Sequence, residues 1–207
     1  MDRPSSCLMA AVWLCCAAQA SAASTAQLAV QGFITPSACT PSLSDGGNID
    51  HGKVTVKDLH PQKPTALSHG LLSLEVVCEG PTFFALSTID NRAGTAALNP
   101  AHHGLGAIHD NQLLGNAAFG LLSPIADNAA VRTIISTDAG RTWRESIGLG
   151  HRTLTAFAAM SGPVQPIALR QLNAEVRVFT TIVPSSELIV TDEIPIDGDA
   201  TVEMKYL

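Results

Sequence analysis

Leu71-Leu72-Ser73-Leu74-Glu75-Val76-Val77-Cys78 alternates its apolar and polar side chains almost residue by residue. Successive side chains of an extended chain point to opposite faces. Leu72, Leu74, Val76 and Cys78 therefore share one face, and Ser73 and Glu75 share the other. This is the pattern of a strand with one buried and one wet side. It recurs in both directions along the chain. Upstream, Leu28 and Val30 share a face with Ala26. Downstream, residues 82–89 follow the turn dipeptide Gly80-Pro81, and residues 131–137, 153–160 and 174–183 are further β-rich runs. In the last run, residues 201–207, Val202, Met204 and Tyr206 face one way and Glu203 and Lys205 the other. No segment carries a sustained 3.6-residue apolar stripe; the nearest, residues 93–98, is short and includes Gly94. Short strands separated by Gly, Pro, Asn and Asp clusters predict an all-β sandwich or barrel. Residues 92–128 alternate weakly and read as loops and short strands inserted into it.

Composition narrows the function. Of the 207 residues, 46% are hydrophobic, 14% charged and 4% aromatic, against about 25% charged in an average soluble domain. The chain is too apolar for a disordered protein. Lys+Arg 12 against Asp+Glu 18 gives a net charge of −6 with no basic cluster, which argues against nucleic acid as a partner. Residues 1–22 read as a secretory signal. Arg3 supplies the positive start, residues 8–18 an apolar stretch too short to span a bilayer, and Ala18-Gln19-Ala20 and Ala20-Ser21-Ala22 two small-x-small cleavage sites. With the signal removed, no transmembrane segment is expected, and the expected location is outside the cytoplasm.

Cleavage changes the cysteine arithmetic. Cys7, Cys15 and Cys16 leave with the signal, and Cys39 and Cys78 stay. Two cysteines in an exported chain make one disulfide most simply; the other reading, two buried thiols, is disfavoured in an oxidising compartment. The pair is too far apart for a CxxC redox motif and too sparse for a zinc site.

Ser136-Thr137-Asp138-Ala139-Gly140-Arg141-Thr142-Trp143 fits the SxDxGxTW Asp-box of sialidases and related propellers. The box is a turn device: Ser136 and Asp138 bond turn backbone, Gly140 permits positive φ, and Trp143 packs beneath the hairpin. Propellers repeat it from blade to blade, but here it occurs once in a chain too short for a ring of blades. A structural hairpin is expected, with an Asp-box glycosidase only a third reading. His102, His103 and His109 with Asp110 form a loose cluster, read as polar loop residues because no second cluster or HExxH supports a metal. Asp90 and Arg92 are expected to form a local ion pair, and Asp192-Glu193 to be solvated turn residues. Neither a catalytic residue nor a cofactor is predicted, and the chain is not expected to be an enzyme.

Three stretches, in order, resemble a chaperone–usher pilin: Gly32-Phe33-Ile34-Thr35-Pro36-Ser37-Ala38-Cys39, then Asp50-His51-Gly52-Lys53-Val54, then residues 72–78 ending in the partner cysteine. A C-terminal strand whose penultimate residue is Tyr206 is similar to pilin endings. More closely, the mature chain resembles a proteobacterial family of uncharacterised proteins associated with fimbrial operons. The matching pieces are Ile89-Asp90-Asn91-Arg92-Ala93-Gly94, His103-Gly104-Leu105-Gly106 and the ending at residues 197–207.

The resemblance implies an immunoglobulin-like, pilin-type β-sandwich over residues 32–207, incomplete by its final strand and holding one disulfide. Such a sandwich leaves an apolar groove and an unpaired edge, which would template aggregation unless a periplasmic chaperone covered it. The N-terminal extension of a neighbouring fimbrial subunit then replaces the chaperone at an outer-membrane usher by strand addition. Residues 23–31 are the implied donor extension, with Leu28 and Val30 as its pocket-filling side chains. Val202, Met204 and Tyr206 are the implied lining of the acceptor groove and the contact for the chaperone. The extension is shorter than in typical major pilins, and Ser24 or Ala26 stands where glycine is often found. The implied function is that of a structural fimbrial subunit supporting adhesion. The alternative is a self-complete secreted binding domain, an adhesin that uses residues 92–128.

Overall fold

A computed structural model describes residues 38–108 and 112–207. The predicted signal, the donor extension with Leu28 and Val30, and His109 with Asp110 lie outside the described residues. Eight strands of five or more residues carry the fold: β1 Cys39–Leu43, β2 Gly70–Thr82, β3 Phe84–Asp90, β4 Gly115–Ala126, β5 Ala129–Ser136, β6 Leu154–Ala159, β7 Leu169–Ile182 and β8 Ala200–Tyr206. They pair in the order β1-β2-β7-β4-β5-β6-β3-β8, antiparallel throughout. Only two residue pairs, Ile125–Ala130 and Ala126–Ala129, join β4 to β5. The path folds over there into two four-stranded layers, an all-β sandwich.

The alternation in β2 is realised residue for residue: Leu72, Leu74, Val76 and Cys78 are buried, and Ser73, Glu75 and Val77 are exposed. Their face meets Leu121 of β4 and Leu172, Val176 and Val178 of β7 from the same layer. Phe84 and Leu86 of β3 and Phe157 of β6 come from the other layer, all in one core cluster. Phe84 and Phe157 meet edge to face with ring centroids 6.3 Å apart, a favoured aromatic geometry. Cys39 stands directly opposite Cys78 across β1 and β2, and the two form a disulfide. Closing that loop is worth about 4 kcal/mol on the chain-entropy account.

Two expectations need correction. The strand does not turn at Gly80-Pro81 but runs on to Thr82, and the break falls at Phe83. Pro81 lies in a stretch where the register with β7 slips, between the Thr82–Leu169 and Val77–Gln171 pairs, so its missing N–H interrupts no regular ladder. Residues 92–128 are not merely loops and short strands, because the long strand β4 is central, between β7 and β5. Its alternation is faint because Ala117, Ala118 and Gly120 place little side chain on either face, and because a bulge near Ser123 (φ 47°) inverts the sides midway. The β4–β5 turn is Asp127-Asn128, both with positive φ, the conformation two-residue hairpins require. Among the described residues no helix is long and apolar enough to cross a membrane.

Phe157 is 1% exposed and Phe83 is 50% exposed. Phe157→Ala is expected to cost about 3–5 kcal/mol and to lower the melting temperature by roughly 10 °C. Phe83→Ala should leave it nearly unchanged, as differential scanning calorimetry of the two variants would show.

Candidate functional site

The two ends of the sheet path face the same cleft. Among the described pairings β1 bonds to β2 alone and β8 to β3 alone. A cavity of about 340 Å³ opens there, lined by Leu43 of β1, Leu72 of β2, Val176 and Val178 of β7, Phe119 of β4 and Val202 of β8. It shares Ile49, His51 and Ile196 with a second cleft of about 580 Å³, lined chiefly by aliphatic side chains of residues 49–59 and 188–196. Lys53 and Glu193, which line this second cleft, form an exposed ion pair. Of the three C-terminal residues expected at a groove, Val202 lines the cleft. Met204 packs half-buried against the core. Tyr206 is exposed, and its hydroxyl accepts the backbone N–H of Cys39 at 3.2 Å, tying the edge strand of one layer to that of the other beside the disulfide.

The lead-in to β8 is held by a junction of side chains distant in sequence. Arg92 donates from Nε to the Asp197 carboxylate at 2.9 Å and from its terminal nitrogen to the second oxygen at 2.7 Å, a two-pronged pair of the strong, directional kind. Asp199 lies 3.9 Å from the same guanidinium. Asn91 donates to Asp199 and to Thr201. The Arg92 guanidinium holds the Asp197 carboxyl below the usual carboxylate range, and Asp197 in turn raises the pKa of Arg92. The expected local pair of Asp90 with Arg92 is thereby corrected. Asp90 instead accepts the backbone N–H groups of Arg92 and Gly104, which two-residue spacing on one turn favours.

Residues 103–106 wedge into this junction. His103 and Gly104 form a short strand against β4, and the Leu105 carbonyl accepts the N–H of Asp197. At Gly104 any Cβ would lie 2.0 Å from the Thr95 hydroxyl and 2.5 Å from the Arg92 carbonyl, so only glycine fits. His103 is buried rather than a loop residue in water. Its Nε2 is 2.7 Å from the Thr88 hydroxyl, and its ring lies 4.4 Å from that of Phe119 and 5.1 Å from that of His151. His102, pointing the other way, contacts the amides of Asn99 and Asn116. His51, on the cleft wall, is 2.8 Å from the Thr180 hydroxyl. Burial lowers the pKa of all three histidines; Asp50 opposes this at His51, and His151 adds to it at His102. Among the described residues no group of three or more His, Cys, Asp and Glu is arranged to hold a metal. His151 and Thr88 carry no signal in the sequence, because His103 pairs with β4 in one layer while Thr88 lies on β3 in the other and His151 in a turn, and only their packing brings them together.

The Ser136–Trp143 stretch lies apart from the cleft, on a turn whose groups bond one another. Ser136 Oγ donates to Asp138 at 2.7 Å and accepts the N–H of Gly140 at 2.8 Å. Asp138 also accepts the N–H and hydroxyl of Thr142. Those Thr142 bonds, and then Ser136, hold the Asp138 carboxyl far below its usual range. Gly140 has φ +87°, and the Trp143 indole donates to its carbonyl while packing on Ile134, Ala85 and Ala156.

Residues 28–120 match a family described as "Protein of unknown function (DUF1120)". The chain is similar to bacterial proteins along nearly its whole length. It is 25% identical to Protein GltF of Escherichia coli (strain K12), over 92% of this chain and 91% of that protein. It is 23% identical to the Uncharacterized protein YhcF of the same strain, over 92% and 94%. The family match spans β1 to β3, the Arg92 turn and residues 103–106, so it takes in one side of the junction and stops before β8.

If the Arg92–Asp197 pair places β8, reversing either charge harms and reversing both repairs. Arg92→Glu and Asp197→Arg should each lower the melting temperature, and the double variant should recover more than half of the summed loss. Strict additivity of the two losses in thermal melts would contradict a direct coupling.

Proposed function

We propose that this protein is a structural subunit of a chaperone–usher fimbria, exported and assembled by strand addition at the cleft between β1 and β8. The observation that carries the reading is that cleft. Among the described residues, an edge strand with one bonded neighbour runs beside an apolar cavity, in a sandwich whose strands β1 and β2 are pinned by the Cys39–Cys78 disulfide. An open edge supplies backbone donors and acceptors for an incoming strand, and the cavity supplies pockets for every second side chain. The order of the layers supports the reading too. β1-β2-β7-β4 follows the A-B-E-D order of an immunoglobulin-like sandwich once β5 and β6 are counted as an insertion between D and E, with β3 and β8 as neighbours in the facing layer and no ninth strand beyond β8 among the described residues.

On this reading residues 23–31 of a neighbouring subunit are the incoming strand, with Leu28 and Val30 seated in the cavity. A periplasmic chaperone protects the edge beforehand, and an outer-membrane usher is where the exchange takes place. The work is assembly, and it needs neither a cofactor nor bond-making chemistry.

The test is a thermal melt of a chain beginning at Gly32, alone and with a peptide of residues 23–33. A ligand specific for the folded state at a hundred times its dissociation constant stabilises by about 2.7 kcal/mol, a rise of at least about 5 °C. The rise should vanish for a peptide carrying Leu28→Asp and Val30→Asp. A chain indifferent to the native peptide would contradict the reading.

A further inference from the structure

His103 is the one ionisable side chain among the described residues that is buried, at 2% exposure. Its Nε2 is bonded to Thr88, but its Nδ1 makes no hydrogen bond, nor does the buried Nδ1 of His151, whose ring meets it edge-on. A neutral imidazole needs one donor and one acceptor site, whereas a protonated one needs two acceptors. A proton taken up at His103 Nδ1 would therefore sit on a buried atom that has no hydrogen-bonded acceptor in the neutral form.

The neighbouring groups relieve it only in part, and burial outweighs them. Asp90 of β3 is the nearby carboxylate, and its oxygens are engaged by the N–H groups of Arg92 and Gly104. Arg92 is spent on Asp197. His102 adds a like charge if protonated. Arg152, beside His151, and Lys205 of β8 line the outer cleft that His151 also lines, and Glu203 there lies 3.9 Å from Lys205. From β4 come Asn116, Ala117 and Phe119, none of them ionisable.

The same segment holds the wall of the cleft. His103, Gly104 and Leu105 line it together with Val202, and Leu105 accepts the N–H of Asp197 at the start of the lead-in to β8. We infer that His103 is a proton-binding site linked to the cleft: neutral, it keeps residues 103–106 wedged between β4 and the lead-in to β8; protonated, it expels them and loosens β8. This goes beyond the assembly reading and holds whatever fills the cleft.

The sign follows from burial, which disfavours the charged form of His103. His151 and His102 reinforce the effect, while Asp90 and the Ala117 carbonyl oppose it. The wedged form binds the proton less tightly than the released or unfolded chain. Its stability is complete above the ordinary histidine value of about 6.5 and is lost as pH falls below it, by up to about tenfold in the equilibrium per proton per pH unit.

The experiment uses the full oxidised protein. Melting temperatures are recorded from pH 8 to pH 5 for the wild type, His103→Gln and, as an exposed control, His69→Gln. His103 ring resonances of the wild type are followed by NMR over the same range. The wild type and the His69 variant should lose stability below about pH 6.5, and the His103 variant should lose markedly less. The wild-type His103 ring should titrate below the ordinary range, with the β8 amide resonances shifting in step; this decides the matter if His103→Gln does not fold. An unchanged pH slope in a folded His103 variant, or a His103 ring titrating at or above the ordinary value, would overturn the inference.

Discussion

The two-pronged bond between Arg92 and Asp197 is the constraint on which the cleft depends. Among the described residues β8 has backbone partners on one side only, and its register, with Ala200 opposite Asp90 and Tyr206 opposite Phe84, must be fixed at its ends. At the start, Arg92 grips Asp197 while Asn91 reaches Asp199 and Thr201. At the finish, the Tyr206 hydroxyl meets the N–H of Cys39 beside the disulfide. Held at both ends, the strand can leave its outer edge unpaired and still line the cavity with Val202. The charged pair is exposed, where single ion pairs contribute little. Its value lies in geometry, because a bidentate guanidinium–carboxylate bond fixes orientation as well as distance.

How much of this was legible in the chain varies with the range of the interaction. The alternation in residues 72–78 and 201–207 is local, and β2 and β8 follow it closely. The disulfide is legible from counting cysteines if residues 1–22 are read as a signal, and Cys39 and Cys78 are register partners. β4 was not legible, because Ala, Gly and a bulge erase the period-two signal on which strand recognition depends. Proximity in sequence pairs Arg92 with its near neighbour Asp90. Its true partner lies 105 residues away, and only the pairing of β3 with β8 brings the two together. His103 read as a loop residue for a related reason: its burial comes from Phe119 and Thr88, contributed by strands on both sides.

The three pieces of sequence shared with the fimbrial-operon resemblance, residues 89–94, 103–106 and 197–207, turn out to be one place. Asp90 holds Gly104, Arg92 holds Asp197, and Leu105 holds the backbone of Asp197. A side chain on Gly104 would strike Thr95. Stretches that looked like separate motifs therefore serve one mechanical task, placing the start of an edge strand. The family match, which covers residues 28–120, contains the gripping half of that junction.

The central claim is that the outer edge of β8 is open. Backbone hydrogen exchange of the oxidised monomer, resolved by NMR at single amides, tests it most directly, because protection reports on each N–H separately. Amides from Thr201 to Tyr206 should alternate, those bonded to β3 being protected and those on the outer edge exchanging at rates near those of an unstructured chain. Uniform protection along β8 would mean that another strand already occupies the edge, and would contradict the account.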